Sequence, residues 1–236
     1  MRIEWVRHRV RAHEEVKCRL QKGGRGRGLC TCRDEVAATL DGVGAGDDLT
    51  ALESLRDAPW QLLAPSVSVD LVRFCALLKP AARFRPLAVD GIASVSLWCD
   101  RWGFEYAADA ECYICVSRDV ALSAEILEID RRPDRHEIAL GRLLGYPDCC
   151  CDAVSRVGES AIDGQAELAA GWSFRGPFRK ISPSGYTHGR ALISHIPCGP
   201  ACEPSLAMAN VAADFVLSHP TERFLRGMYD FTQETL

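Results

Sequence analysis

Between residues 141 and 154 the chain reads GRLLGYPDCCCDAV, and this stretch restricts the possible folds more than any other. A glycine after two leucines permits the left-handed residue that ends a helix, and a proline two positions later suits the start of the next one. The sequence therefore predicts a helix over DRHEIALGRLLG, with Asp134 as a cap and Gly145 just past its end. Tyr146 crosses the turn, and a second helix carries Cys149, Cys150 and Cys151 in its first turn. On the first helix His136, Leu140, Leu143 and Leu144 share one face, so His136 belongs to the buried stripe. In a helix, successive side chains point about 100° apart. At most two of the three sulfurs can then face one centre, and helical geometry alone leaves open which one packs elsewhere. The positive end of a helix also favours the thiolate form of a first-turn cysteine.

A second stretch, SHIPCGPACEPS, places His195, Cys198 and Cys202 within eight residues. Pro197, Pro200 and Pro204 forbid a regular helix through it, so it must be a stiff, kinked loop. Cys202 precedes a helix that Pro204 opens, repeating the arrangement at Cys149. Two such loops facing each other could supply four ligands, two from each side. Thiolate-rich sites suit zinc or an iron–sulfur cluster, and mixed His and Cys ligation suits zinc, iron or copper. The C-x3-C joined to C-C is not the paired C-x2-C of zinc ribbons and fingers. A metal-free thiol or disulfide site, and plain packing, are the competing readings. His195, and His188 seven residues before it, are the candidate acid–base or ligating groups. Arg175 and Arg179, among the aromatic residues of GWSFRGPFRK, could close over an anionic small-molecule substrate; the bland alternative is a solvated loop with apolar anchors.

The remaining cysteines of the 12 carry less. A chain of 236 residues can bury a self-sufficient core, so bridges are not needed for bulk stability. The opening MRIEWVRHRVRAHEEVK lacks the apolar core of a secretory signal, which points to the cytosol, where disulfides do not persist. Cys112 and Cys115, in CYIC, look like a chelating pair but lie in an expected strand, where residues i and i+3 face opposite ways. Cys30 and Cys32 follow a glycine tether with no histidine nearby. Cys18, Cys75 and Cys99 are isolated, and free cysteine is a common small core residue.

Composition bounds the class. With 47% apolar and 25% charged residues the chain is an ordinary globular protein, and no apolar run approaches the ~18 residues of a membrane-spanning helix. Residues 1–33 hold ten Lys or Arg against Glu4, Glu14 and Glu15, a charge of about +7 that leaves about −11 for the rest. A basic arm on an acidic body could touch nucleic acid or another anionic partner. The scarcity of aromatic stacking residues there favours a solvated helix followed by the flexible KGGRGRG tether. The GVGAG at 42–46 lacks the preceding strand that a phosphate-binding loop requires.

Periodicity supplies the rest. DDLTALESLRDAPWQLL reads as a helix from about Asp48, with Leu49, Leu52 and Leu55 on its apolar side, ending before Pro59. SVDLVRFCALL reads as another, closed by Pro80. From about 86, PLAVDGIASVSLWCDRWGFEYA and ECYICVSR have the β-branched and aromatic content of paired strands. VALSAEILEID returns to helical spacing, and PSLAMANVAADFVLSH and TERFLRGMYDFTQ close the chain as helices. The expected fold is α+β, a small antiparallel sheet with a predominantly helical C-terminal half. Residues 1–48 form a basic arm or accessory segment, and 49–236 a single domain that carries the cysteine-rich site.

The two cysteine motifs together resemble an uncharacterised archaeal and bacterial family, the domain of unknown function 483. Its pattern is a Gly-x-Leu-Leu-Gly-Tyr-Pro-x-Cys-Cys turn and a later His-x-Pro-Cys-x3-Cys-x2-Ser. The likeness covers about residues 105–225 and maps onto Gly141, Gly145, Tyr146, Pro147, Cys149, Cys150, His195, Pro197, Cys198, Cys202 and Ser205. It implies that Cys149 and Cys150 belong with Cys198 and Cys202, which leaves Cys151 as a local extra; it implies no activity. The leading expectation is a cytosolic metalloprotein, a redox or sulfur-transfer enzyme of a biosynthetic pathway that uses an iron–sulfur cluster or a Cys/His-bound metal. The alternatives are a zinc-stabilised module binding nucleic acid or protein, and a metal-free thiol enzyme with Cys150 or Cys202 as nucleophile and a histidine as base.

Overall fold

The structure, a computed structural model, describes residues 45–132, 136–158 and 161–236. The basic arm up to residue 44, with His8, His13, Cys18, Cys30 and Cys32, lies outside the described residues, as does Asp134, the expected helix cap. Among the described residues no helix is long and apolar enough to cross a membrane.

Helices α1 (Ala45–Arg56) and α2 (Pro65–Cys75) lead into strand β1 (Ala81–Phe84), then α3 (Asp90–Trp102), β2 (Glu105–Ala108), β3 (Ile114–Ser117) and α4 (Val120–Asp130). The cysteine-bearing half follows as α5 (Glu137–Leu143), α6 (Asp148–Val157), α7 (Ile162–Ala170), α8 (Glu203–Ser218) and α9 (Arg226–Thr235), with 3-10 segments at Gly176–Ile181, Tyr186–His188 and Arg223–Leu225. The sheet is antiparallel in the order β1-β3-β2. Central β3 is buried along its whole length because it is covered on both sides. Ile114 and Val116, with Ala82 and Phe84 opposite them on β1, face the main core. Cys115 and Ala81 face the other way, into a smaller cluster with Ile126 and Leu127 of α4 and Leu144. The architecture is thus the expected α+β, with helices on both faces of a small sheet.

Three local expectations need correction. Residues 90–102 form helix α3 and not a strand. The β-branched residues there favour a strand locally, but Val95 and Cys99 share one helical face and are fully buried with Trp98 beside them. Burying that face outweighs a propensity scale that spans only about 1 kcal/mol, and Gly103, at φ +67°, closes the helix with a bond to the Cys99 carbonyl. Helix α2 stops at Cys75, short of Pro80, with Leu77 taking the left-handed conformation at φ 60°. Leu49 is solvent-exposed, and α1 buries Ala51, Leu52 and Leu55 instead.

The Gly145 turn is as expected, and its surroundings explain both glycines of the motif. Gly145 has φ +76°, and a Cβ there would lie 2.6 Å from Cδ of Pro80. Gly141, one helical turn earlier, leaves a hollow that Cys151 fills, since a Cβ would meet the Cys151 sulfur at 2.6 Å. Replacing Gly145 with alanine combines a disfavoured backbone with a clash against a rigid ring. We expect a loss of about 1–3 kcal/mol, read as a lower urea midpoint with an unchanged denaturant slope.

Candidate metal centre

Helix α6 begins where Pro147 sets the entry, its carbonyl accepting from the amides of Cys150 and Cys151 at 2.9 and 3.0 Å. Helix α8 begins at Cys202, which occupies the capping position with Pro204 in the first turn. Between Gly189 and Cys202 the chain has no regular structure, as its prolines require, and the fully buried Ala191 and Leu192 anchor this loop in the core. The two helix starts meet at the sulfurs. Cys149 and Cys150 lie 3.9 Å apart, Cys149 and Cys202 3.8 Å, and Cys150 and Cys202 3.6 Å. Cys198 completes the group, with all four sulfurs within 4.8 Å of one another.

Cysteines 149, 150, 198 and 202 could hold a metal ion. At a metal–sulfur distance of about 2.3 Å, tetrahedral thiolates stand about 3.8 Å apart. The three separations among Cys149, Cys150 and Cys202 scatter about that value, so these three donors suit one tetrahedral ion, with Cys198 within 4.8 Å of them. Cys150 and Cys202 are buried and belong to the main core, Cys149 is half-buried and Cys198 is exposed. Cys151 turns away, as helical spacing demands of one of the three; its thiol points to the Tyr146 carbonyl at 3.7 Å.

Crowding makes the four thiols unequal. A hydrogen bond from Cys150 is the largest influence on Cys202 and, with help from Ser205, holds its pKa down to about 4. Cys150, which keeps its proton to donate that bond and is buried as well, is pushed far up. Burial, then the Cys202 charge, raises Cys149, and burial first raises Cys198 to about 12. One negative charge thus settles on Cys202, at the N-terminal end of α8, where the helix dipole stabilises it.

Behind the sulfurs stands a chain of contacts. The Ser205 hydroxyl donates to the Cys202 sulfur at 3.2 Å, and Nε2 of His195 lies 2.8 Å from the same hydroxyl. His195 is therefore one residue removed from the thiolates, oriented through Ser205, and its ring lies 5.1 Å from that of Tyr146. Burial, reinforced by the charges of Arg73 and Lys79, pushes its pKa well below the ordinary value, so it is neutral. His188 stands apart on the exposed 3-10 turn Tyr186–His188, with Nδ1 3.1 Å from the Thr187 hydroxyl. Arg175 and Arg179 are exposed around the 3-10 turn Gly176–Ile181, and Cys112 and Cys115 do not join the sulfur group.

Two cavities flank the centre. One, about 530 Å³, is lined by His136, Glu137, Gly141, Cys150, Cys151 and His195. Glu137 Oε2 and His195 Nδ1 are buried without a hydrogen-bond partner among the described residues. The other, about 640 Å³, is lined among others by Arg73, Lys79, Tyr146, Pro147 and Pro204. Lys79 is buried and bonded to Asp70 at 2.5 Å, and Tyr186 donates to the same carboxylate at 2.6 Å. Sequence reasoning passed over these charges. Their signal was available: Asp70 and Arg73 interrupt the apolar run SVDLVRFC on a helix that is buried from Val69 to Cys75.

No family model, no curated protein and no solved structure matches this chain.

Ser205→Ala removes the shared partner of Cys202 and His195. It should cost about 1–3 kcal/mol of stability and weaken retention of a metal loaded onto the four cysteines about tenfold or more, measured by denaturation and by competition with a chelator. His195 also sets a pH dependence. The unfolded chain protonates it near pH 6.5 and the folded chain does not, so stability falls as pH drops below about 6.5, by about 1.4 kcal/mol per unit. His195→Gln should flatten this slope by one proton, read from urea stability at pH values from about 7 to 5.

Proposed function

We propose that this chain is a cytosolic metalloprotein that holds one transition-metal ion on Cys149, Cys150, Cys198 and Cys202 and uses it in redox or sulfur-transfer chemistry on a small molecule. The observation that carries this reading is the 3.6–3.9 Å spacing among three sulfurs, with Cys198 beside them. Such spacing suits a single ion better than a cluster, whose thiolates bind different irons and must stand farther apart. Bound iron would supply one-electron chemistry, and bound zinc a polarised, deliverable thiolate.

A working centre accounts for the surroundings better than a structural staple does. The core is large, and a metal is not needed to stabilise it. Cys198 is exposed, so one edge of the ligand shell opens to solvent, while Cys150 and His195 line a cavity. The motif resemblance to the domain 483 family groups the same four cysteines and supports extending this reading to that family. A second reading, a metal-free thiol enzyme, draws on Cys202 as the low-pKa sulfur with Ser205 and His195 behind it.

Aerobic and anaerobic purification followed by metal and sulfide analysis tests the proposal. The expected result is one equivalent of iron or zinc per chain without acid-labile sulfide, and loss of that metal in Cys198→Ser. Sulfide in proportion to iron would replace the single ion by a cluster. An unchanged metal content in the variant would sink the ligand assignment, and absence of metal from both preparations would leave the thiol reading.

A further inference from the structure

Arg73 is the least satisfied group among the described residues. It is 1% exposed, and its Nε and Nη1 have no hydrogen-bond partner there. Buried polar groups almost always find a partner, and an unpaired buried charge is strongly destabilising. The nearest acid, Asp70, sits one turn earlier on α2 and is already engaged by Lys79 and Tyr186. Arg73, Lys79 and Asp70 together therefore leave one positive charge in surplus, shut away from water. Burial is the main influence on the Arg73 guanidinium and pulls its pKa down, but an arginine remains a cation.

Arg73, although almost wholly buried, is among the residues that line the 640 Å³ cavity, a size that suits a small organic molecule. The other charged groups of the wall are committed. Arg142 pairs with Asp148 at 2.7 Å, Arg118 donates to the carbonyls of Phe74 and Cys75, and Asp119 caps α4 through the amide of Ala121. Apart from Tyr146, what remains of the wall is mostly apolar, with Leu77, Leu78, Leu122, Met208 and Val211. Leu77 holds its left-handed backbone here, in a conformation that leucine rarely adopts.

We propose that this cavity binds a small organic carboxylate, its single negative charge taken by Arg73 and its apolar body lodged against Leu77, Leu122, Met208 and Val211. One surplus positive charge calls for a monoanion, and guanidinium matches the planar carboxylate. The site lies beside the thiolate centre, since Pro147 is two residues before Cys149 and Pro204 two after Cys202. It does not depend on what the thiolates hold.

Hexanoate is a suitable probe, titrated into the full chain by calorimetry and by thermal melting. The expected result is saturable binding of one hexanoate per chain and a melting temperature that rises with its concentration. Hexanol, which keeps the body without the charge, and acetate, which keeps the charge without the body, should each bind at least about tenfold more weakly. Arg73→Met should lose hexanoate binding at least about tenfold and, by removing an unpaired buried charge, melt no lower than the parent. Should that variant fail to fold, the comparison of hexanoate with hexanol on the parent still decides the matter. Equal binding of the two, no saturable binding, inorganic phosphate competing as well as hexanoate, or undiminished affinity in Arg73→Met would each overturn the proposal. Cys198→Ser, titrated in parallel, should bind hexanoate as the parent does, so that failure of the metal reading and failure of this one are read separately.

Discussion

Two helix starts converge on the same sulfurs, and the positive ends of α6 and α8 favour negative charge between them. Cys150 and Cys202, 3.6 Å apart, are the contact. Both belong to the main core, so the arrangement is continuous with the packing of α2, β1 and β3. A thiolate on Cys202 and the Ser205 hydroxyl satisfy the end of α8, and Pro147 with the Gly145 turn brings α6 to meet it. The centre is thus bound into the tertiary structure.

A second constraint lies one layer deeper. Asp70 holds Lys79 and Tyr186, Lys79 reaches the Ser194 hydroxyl and lies over the Tyr146 ring, and Tyr146 stacks near His195. The loop that carries His195 is therefore tied to α2 by buried polar contacts as well as by Ala191 and Leu192. Such a network is costly to bury and specific in geometry, because a partly satisfied one is worse than none. Arg73 is the member it leaves unsatisfied, beside a cavity that could admit the missing partner.

Legibility followed the range of the forces involved. Helices α1, α4, α5, α6 and α8 could be read locally, because caps, prolines and apolar spacing act within a turn or two. Helix α3 could not be read that way: its β-branched residues have a local preference for strand, and only packing of Val95, Trp98 and Cys99 against the core reverses it. The same limit applied to Arg175 and Arg179, singled out as guanidinium groups among the aromatic residues of GWSFRGPFRK and found exposed. Arg73, more than seventy residues from the first loop, is the guanidinium that the fold buries beside the centre.

By itself the sequence determined that the cysteines come in two proline-set turns, each at a helix start, and that one of three adjacent thiols must face elsewhere. Backbone stereochemistry dictates this, since proline and glycine leave few conformations and helical spacing separates neighbours by about 100°. Only the tertiary structure decided that the turns meet, that Cys151 is the one turned aside into the hollow at Gly141, and that His195 is held behind Ser205. Those outcomes depend on which surfaces pack together across tens of residues, and nothing in the local chain carries that information.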